Sequence, residues 1–222
     1  MNLRIICETE RCLSPLKPSP GSNRRKIWYL RGMSSAVVSY FQQFRSIPEK
    51  DQDMIFSCFE PRTFKEGEYL FREGKICSQL FYIRSGILRI VSTTDKGMDR
   101  THYFYKEEQF CTILKSFQEA SVADASIQAA CDVDVLTISK QKLNDMYVSA
   151  PYMKDEIDRM FQRQLLEKVE TRNAFLGADA ETQYKLFIEM QPDIALRVSL
   201  KDIASYLGIT PQSLSRIRRN IH

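Results

Sequence analysis

The chain has 222 residues, 43% hydrophobic and 11% aromatic, enough to bury one large core or two small ones, which excludes a disordered polymer. No stretch approaches the roughly 18 consecutive apolar residues of a membrane span, and Glu8, Glu10 and Arg11 interrupt the weakly apolar start before a secretory signal forms, so a cytoplasmic protein without a membrane partner is expected. The net charge of +4 says little about nucleic acid, because residues 1–32 carry seven basic and two acidic side chains and leave the rest at −1.

Residues 1–32 include prolines, Gly21 and several serines without a period of 2 or 3.6. They read as a disordered lead, either a mis-assigned start before Met33 or a basic arm. From Met33 the texture becomes helical, with Val37, Tyr40, Phe41 and Phe44 at helical spacing. Between 64 and 139, short β-branched and aromatic runs alternate with charges: 69–71, 79–84, 87–92, 101–105, 126–130 and 133–138. Turn signals at Glu73-Gly74, Ser85-Gly86 and Lys96-Gly97 separate them. This pattern predicts an antiparallel, jelly-roll-like β-roll over 33–150, with Gly67, Gly74 and Gly86 turning its sharp corners.

Residues 151–176 switch to a long charged helix. Met153, Ile157, Phe161, Leu165 and Val169 lie four apart on one stripe, with Met160 and Leu166 beside it. Packing on its own domain is one reading; a stripe of about five turns between two domains points instead to a homodimer. The fold class expected is therefore α+β: a β-roll sensor, a dimerisation helix, and a small all-α domain over 177–222.

That last domain carries the most informative segment. Asp179 caps a helix whose apolar face is Tyr184, Phe187 and Ile188, and Pro192 is expected to close it. From Ser199 onward come two short helices joined by a tight turn. Ser199 is an N-cap, Leu200, Ile203, Ala204 and Leu207 form a buried face, and Gly208 takes the left-handed conformation that ends the first helix. Thr210 caps the second helix and Pro211 sits in its first turn. Leu214, Ile217 and Ile221 face inward; Gln212, Arg216 and Arg219 share the opposite face, with Ser213 and Asn220 flanking it and Arg218 nearer the other edge. Arginine can bridge guanine O6 and N7, and glutamine can pair with adenine N6 and N7, so double-stranded DNA is the expected partner. The DNA-binding set is Thr210, Gln212, Ser213, Arg216, Arg218 and Arg219.

From about Val37 onward the chain resembles the Crp/Fnr family of bacterial transcription regulators. The resemblance is carried by Phe64-Lys-Glu-Gly-Glu-Tyr-Leu-Phe-Arg-Glu-Gly74, by Leu80-Phe-Tyr-Ile-Arg-Ser-Gly86, and by the terminal IASYLGIT and LSRIRR runs. It implies a cyclic-nucleotide-binding-type roll, dimerisation through 151–176, transcriptional control, and contact with the transcription machinery. Three departures stand out. Members that bind cyclic nucleotides carry a Gly-Glu pair and a downstream Arg; here 106–114 and 121–127 hold neither glycine nor arginine, and Lys106 is their one cation. An effector is left unidentified, with Phe110, Cys111, Thr112 and Ser121 as the candidate segment, and conventional cyclic-AMP binding is not expected. Cys7 and Cys12 do not reproduce an oxygen-sensing cysteine cluster, and His102 reads as a strand or surface histidine instead of a haem ligand. The sequence ends with the recognition helix, so the contacts of the family's β-hairpin wing are expected to be absent or replaced.

Six isolated cysteines without a C-x-x-C read as reduced thiols and hold no metal, with redox sensing at Cys111 or Cys131 as the alternative. A metal-dependent cupin enzyme shares the strand pattern but needs several histidines, and this chain has two, so no enzyme and no cofactor are expected. The closer alternative is a sensor whose helical tail binds protein. Its groove would more often expose Leu, Met or aromatic residues, and the Arg216 face shows none.

Overall fold

The structure is a computed structural model that describes residues 36–94 and 97–221. The readings of 1–32, with Cys7 and Cys12, and of Lys96 in its turn lie outside the described residues, as does His222.

Residues 36–42 form a helical segment (α1), followed by α2 (Glu49–Ser57). The roll then runs β1 (Glu60–Phe64), β2 (Tyr69–Phe71), β3 (Gln79–Ser85), β4 (Leu88–Thr93), β5 (Asp99–Tyr105), β6 (Phe110–Cys111), α3 (Leu114–Glu119), β7 (Ser126–Ala129) and β8 (Val133–Ser139). Two antiparallel sheets result, ordered β1-β8-β3-β6 and β2-β7-β4-β5. The expected strands are found within a residue or two of their bounds, and β1 and β6 are added.

Both faces of β3 and β8 are covered, which explains why 79–83 and 135–138 read as near-continuous apolar runs instead of alternating ones. Phe81, Ile83 and Val135 point between the sheets, where they meet Leu88, Tyr105, Cys111, Ile113 and Ile127. Leu80, Tyr82, Leu136 and Ile138 point to the other side, into a helical layer. Gly86 turns β3 into β4 at φ 99°, and a Cβ there would lie 2.4 Å from the Asp132 carbonyl, so only glycine fits. Gly67 and Gly74 also have positive φ, as expected of corner residues.

The helical layer is made by α1, α4 (Lys140–Ser149) and α5 (Tyr152–Phe175). One expectation is corrected here. Met153, Ile157 and Met160 are at most 1% exposed, packed with Val37, Phe41, Leu143 and Met146, so they belong to the chain's own core and are not free for a dimer seam. Phe161 is half-buried against the same cluster. Beyond it α5 leaves that layer: Leu165, Leu166 and Val169 are 53%, 61% and 47% exposed, while Gln164, Lys168 and Thr171 turn inward.

The remaining helices are α6 (Ala180–Met190), α7 (Pro192–Arg197), α8 (Leu200–Leu207) and α9 (Pro211–Ile221). Asp179 caps α6 by accepting the Thr182 N–H at 2.8 Å, as its position predicts. α6 ends at Met190, just before Pro192 as expected, and Pro192 also opens α7, where a missing N–H costs nothing. Tyr184, Phe187, Ile194, Ile203, Ala204, Leu207 and Leu214 make the core, and Ile87, Phe104 and Ala130 of the roll complete it.

Candidate nucleic-acid interface

The local rules of a two-helix reading unit are all obeyed. Ser199 Oγ accepts the Asp202 N–H at 3.2 Å and starts α8. Gly208 sits at φ 69°, and the Ile209 N–H returns to the Ala204 carbonyl at 3.0 Å, the bond that ends a helix through a left-handed residue. Thr210 Oγ1 then accepts the Ser213 N–H at 3.1 Å and starts α9. Ala204 and Leu214 are fully buried where the helices meet; a larger residue at 204 would force them apart.

This packing decides what α9 shows to solvent. Thr210, Gln212, Arg216, Arg219 and Asn220 are exposed, while Ser213, Arg218 and Ile217 are half-buried. Among the described residues Arg216, Arg218 and Arg219 make no ion pair. Leu200, Ser215, Arg218 and Arg219 bound an open hollow beside the helix. One face thus presents glutamine and arginine heads, and its flank presents one further guanidinium group, that of Arg218, the division that base edges and phosphates require.

The suspected effector segment is organised differently from the expectation. Phe110, Cys111 and Thr112 are buried. Phe110 joins an aromatic cluster with Tyr40, Phe41 and Tyr82, and Thr112 Oγ1 donates to the Gln79 carbonyl at 2.9 Å. The Ser121 carbonyl accepts Ser116 Oγ at 2.6 Å, and Ser116 Oγ in turn accepts the Cys77 N–H at 2.8 Å. These groups are largely consumed in packing, and Ile113 fills part of the space between the sheets; Phe110 and Thr112 also line a small cleft with Phe161, Gln164 and Lys168 of α5, while Cys111 and Ser121 do not. Burial pushes the Cys111 thiol well above its usual range, which suppresses the reactive thiolate and argues against redox sensing there. His102 is exposed on β5 beside Ser92 Oγ, at 2.7 Å from Nε2; partial desolvation of the ring and the nearby Arg100 charge lower its pKa.

Two features escaped sequence reasoning. On the inner side of α5, Lys168 Nζ lies 5.0 and 4.6 Å from the Tyr103 and Tyr105 ring centres. Burial lowers its pKa. The second is Arg89, 4% exposed on β4. An arginine inside the run Ile87-Leu-Arg-Ile-Val91 signals a paired buried charge, and its partners span both parts of the molecule, as described below.

Comparison with known proteins agrees with this geometry. Residues 61–149 match the cyclic nucleotide-binding domain family. Over 167 residues, 70% of this chain and 68% of the relative, the sequence is 25% identical to the transcriptional activator protein FnrA of Stutzerimonas stutzeri. A shorter match of 108 residues, 45% of each chain, is 32% identical to the anaerobic regulatory protein of Bacillus subtilis. Among solved structures, the fold is similar to the c-di-GMP responsive global regulator CLP of Xanthomonas campestris, with a TM-score of 0.62 at 14% identity over 78% of this chain and 91% of that one. It is equally similar to FixK2 of Bradyrhizobium japonicum, with a TM-score of 0.62 at 16% identity over 74% and 84%.

A cyclic-nucleotide-binding-type roll joined through a long helix to a helix-turn-helix defines a class of transcription regulators. Over most of its length the chain is similar to transcription activators of the Crp/Fnr type, and its fold is theirs.

Proposed function

We propose that the chain acts as a homodimer that reads double-stranded DNA with α9. The observation that carries this reading is the exposed Gln212, Arg216 and Arg219 face, backed by a buried Leu214 and flanked by Arg218. Thr210 and Ser213, at the N-terminus of α9, supply hydroxyls and helix-end N–H groups for phosphate. Dimerisation uses the C-terminal half of α5, where Leu165, Leu166 and Val169 form an apolar stripe that nothing in the chain covers among the described residues. Pairing two such helices sets the separation of two α9 copies, which must meet major grooves about 34 Å apart on one face of the duplex. An effector, if one acts, shifts this arrangement only through different affinity for two states. The surface of α9 favours DNA over a protein groove, because its outward residues are polar and cationic.

The test is selection of binding sites from a random duplex pool at fixed salt. Enrichment of a palindromic site with two half-sites one helical turn apart supports the reading. No enrichment, with uniform binding that vanishes as salt rises, contradicts it.

A further inference from the structure

The helix-turn-helix meets the roll at one polar patch on a sheet edge. β5 is the outer strand of its sheet, and a bulge at His102 breaks its ladder: Ile90 faces Tyr103, but Val91 faces Thr101. The backbone groups that an edge strand leaves unpaired are taken up by α8. The Thr101 N–H donates to Ser205 Oγ at 2.9 Å, and the same hydroxyl donates to the Asp99 carbonyl at 2.9 Å. Next to it Arg89 Nη1 meets Asp202 Oδ1 at 2.6 Å and Thr101 Oγ1 at 2.9 Å, Nη2 meets Asp99 Oδ2 at 3.0 Å, and Nε donates to Gln128 Oε1 at 2.8 Å. Phe104, buried between Phe187 and Tyr206, supplies the apolar contact beneath.

Apolar contacts are non-directional and permit rotation; hydrogen-bonded ion pairs fix direction. Each half of this polar contact also keeps partners of its own. Arg89 retains Asp99, Thr101 and Gln128 within the roll, and Asp202 lies in the first turn of α8, where the helix dipole favours a carboxylate. Losing Asp202 therefore leaves no unpaired buried charge behind, unlike the usual case of breaking a buried pair.

We propose that the Arg89–Asp202 pair and the Thr101–Ser205–Asp99 bridge form one interdomain latch that fixes the direction of α9 relative to the roll. Asp202 and Ser205 are positioning residues: they lie on α8, and the latched arrangement leaves the Gln212, Arg216 and Arg219 face exposed. The latch itself is a structural contact; its consequence for DNA rests on the reading proposed above. With the latch opened, each α9 keeps its reading face, but the pair loses its fixed separation and orientation.

The experiment uses the full chain with Asp202→Ala, and Asp202→Asn as a milder second variant. Hydrogen exchange, read by mass spectrometry on peptides covering 99–105, reports the latch without DNA. Thr101 keeps its Ser205 acceptor in both variants, so faster exchange there, with β8 peptides unchanged, shows that the two contacts open together. Exchange equal to wild type overturns the latch. Binding is then compared on the selected two-half-site duplex, on the same site with one base pair inserted between the halves, and on a single half-site. Asp202→Ala is expected to bind the intact site roughly tenfold more weakly, to discriminate less against the insertion, and to bind the half-site like wild type. Equal loss on all three duplexes, or none, overturns the positioning role. If wild type prefers no duplex, the DNA reading fails, and the exchange result alone decides the latch.

Discussion

Arg197 on α7 grips Glu107, in the turn after β5, with both ends of its guanidinium: Nη2 reaches Oε1 at 2.7 Å and Nη1 reaches Oε2 at 3.1 Å. The same Glu107 Oε1 accepts the Gly86 N–H at 2.7 Å, so the glycine corner, the β5–β6 turn and the DNA-reading half are tied at one carboxylate. Burial raises the Glu107 carboxyl, but the Arg197 guanidinium and the backbone N–H groups outweigh it and hold it below the usual range. A depressed carboxylate contributes stability that is present above its unfolded pKa, about 4.3, and is lost as pH falls through the folded value. The urea midpoint of wild type is therefore expected to exceed that of Glu107→Gln at pH 7, by an amount that shrinks steadily below about pH 4.3. Both side chains are about one-third exposed, so solvent screening keeps the pair to about 1 kcal/mol or less. A difference that stays constant with pH contradicts this.

Gly86→Ala is expected to destabilise the roll by about 2 kcal/mol or more, because it combines a positive φ with a Cβ driven against backbone. Chemical denaturation measures it. A cost of only a few tenths means that the β3–β4 corner relaxes freely.

Leu165→Asp with Val169→Asp is expected to convert a dimer to a monomer in sedimentation velocity, with circular dichroism unchanged, since neither side chain supports the chain's own core. Met153→Ala instead removes a fully buried side chain and is expected to cost about 2–5 kcal/mol of stability. A variant that stays dimeric places the interface elsewhere.

Most of the architecture was legible because local chemistry and tertiary packing agree. Ser199, Gly208, Thr210 and Asp179 cap or end helices where their side chains and spacing say they must. Four features were not legible, for separable reasons. The four-residue stripe of α5 is real, yet its first half faces α1 and α4, and periodicity shows that a face is buried without showing against what. Strand β6 is only two residues long and reads as loop by any window, and α4 buries only Leu143 and Met146 among polar neighbours. Arg89 gave a signal, a charge inside an apolar strand, but its partners Asp99, Gln128 and Asp202 lie 10, 39 and 113 residues away in the sequence. The recognition face, by contrast, is set within eleven residues and needed no long-range information.

The roll interior makes its own prediction. Phe81, Ile83, Leu88, Tyr105, Ile113 and Ile127 are buried between the sheets, and the 106–114 and 121–127 segments hold no arginine to meet a phosphodiester. Calorimetric titration with cyclic AMP is expected to give no saturable heat. Binding in the micromolar range, about −8 kcal/mol, would require the interior to rearrange.

The most direct test of the central claim is fluorescence anisotropy on the selected duplex and on a scrambled one, at one salt concentration, for wild type and Arg216→Ala. The substitution is expected to lose about 1–3 kcal/mol on the selected site and little on scrambled DNA, the signature of a side chain that reads a base edge. An equal loss on both duplexes would make Arg216 a phosphate contact, and no loss on either would contradict α9 as the reading helix.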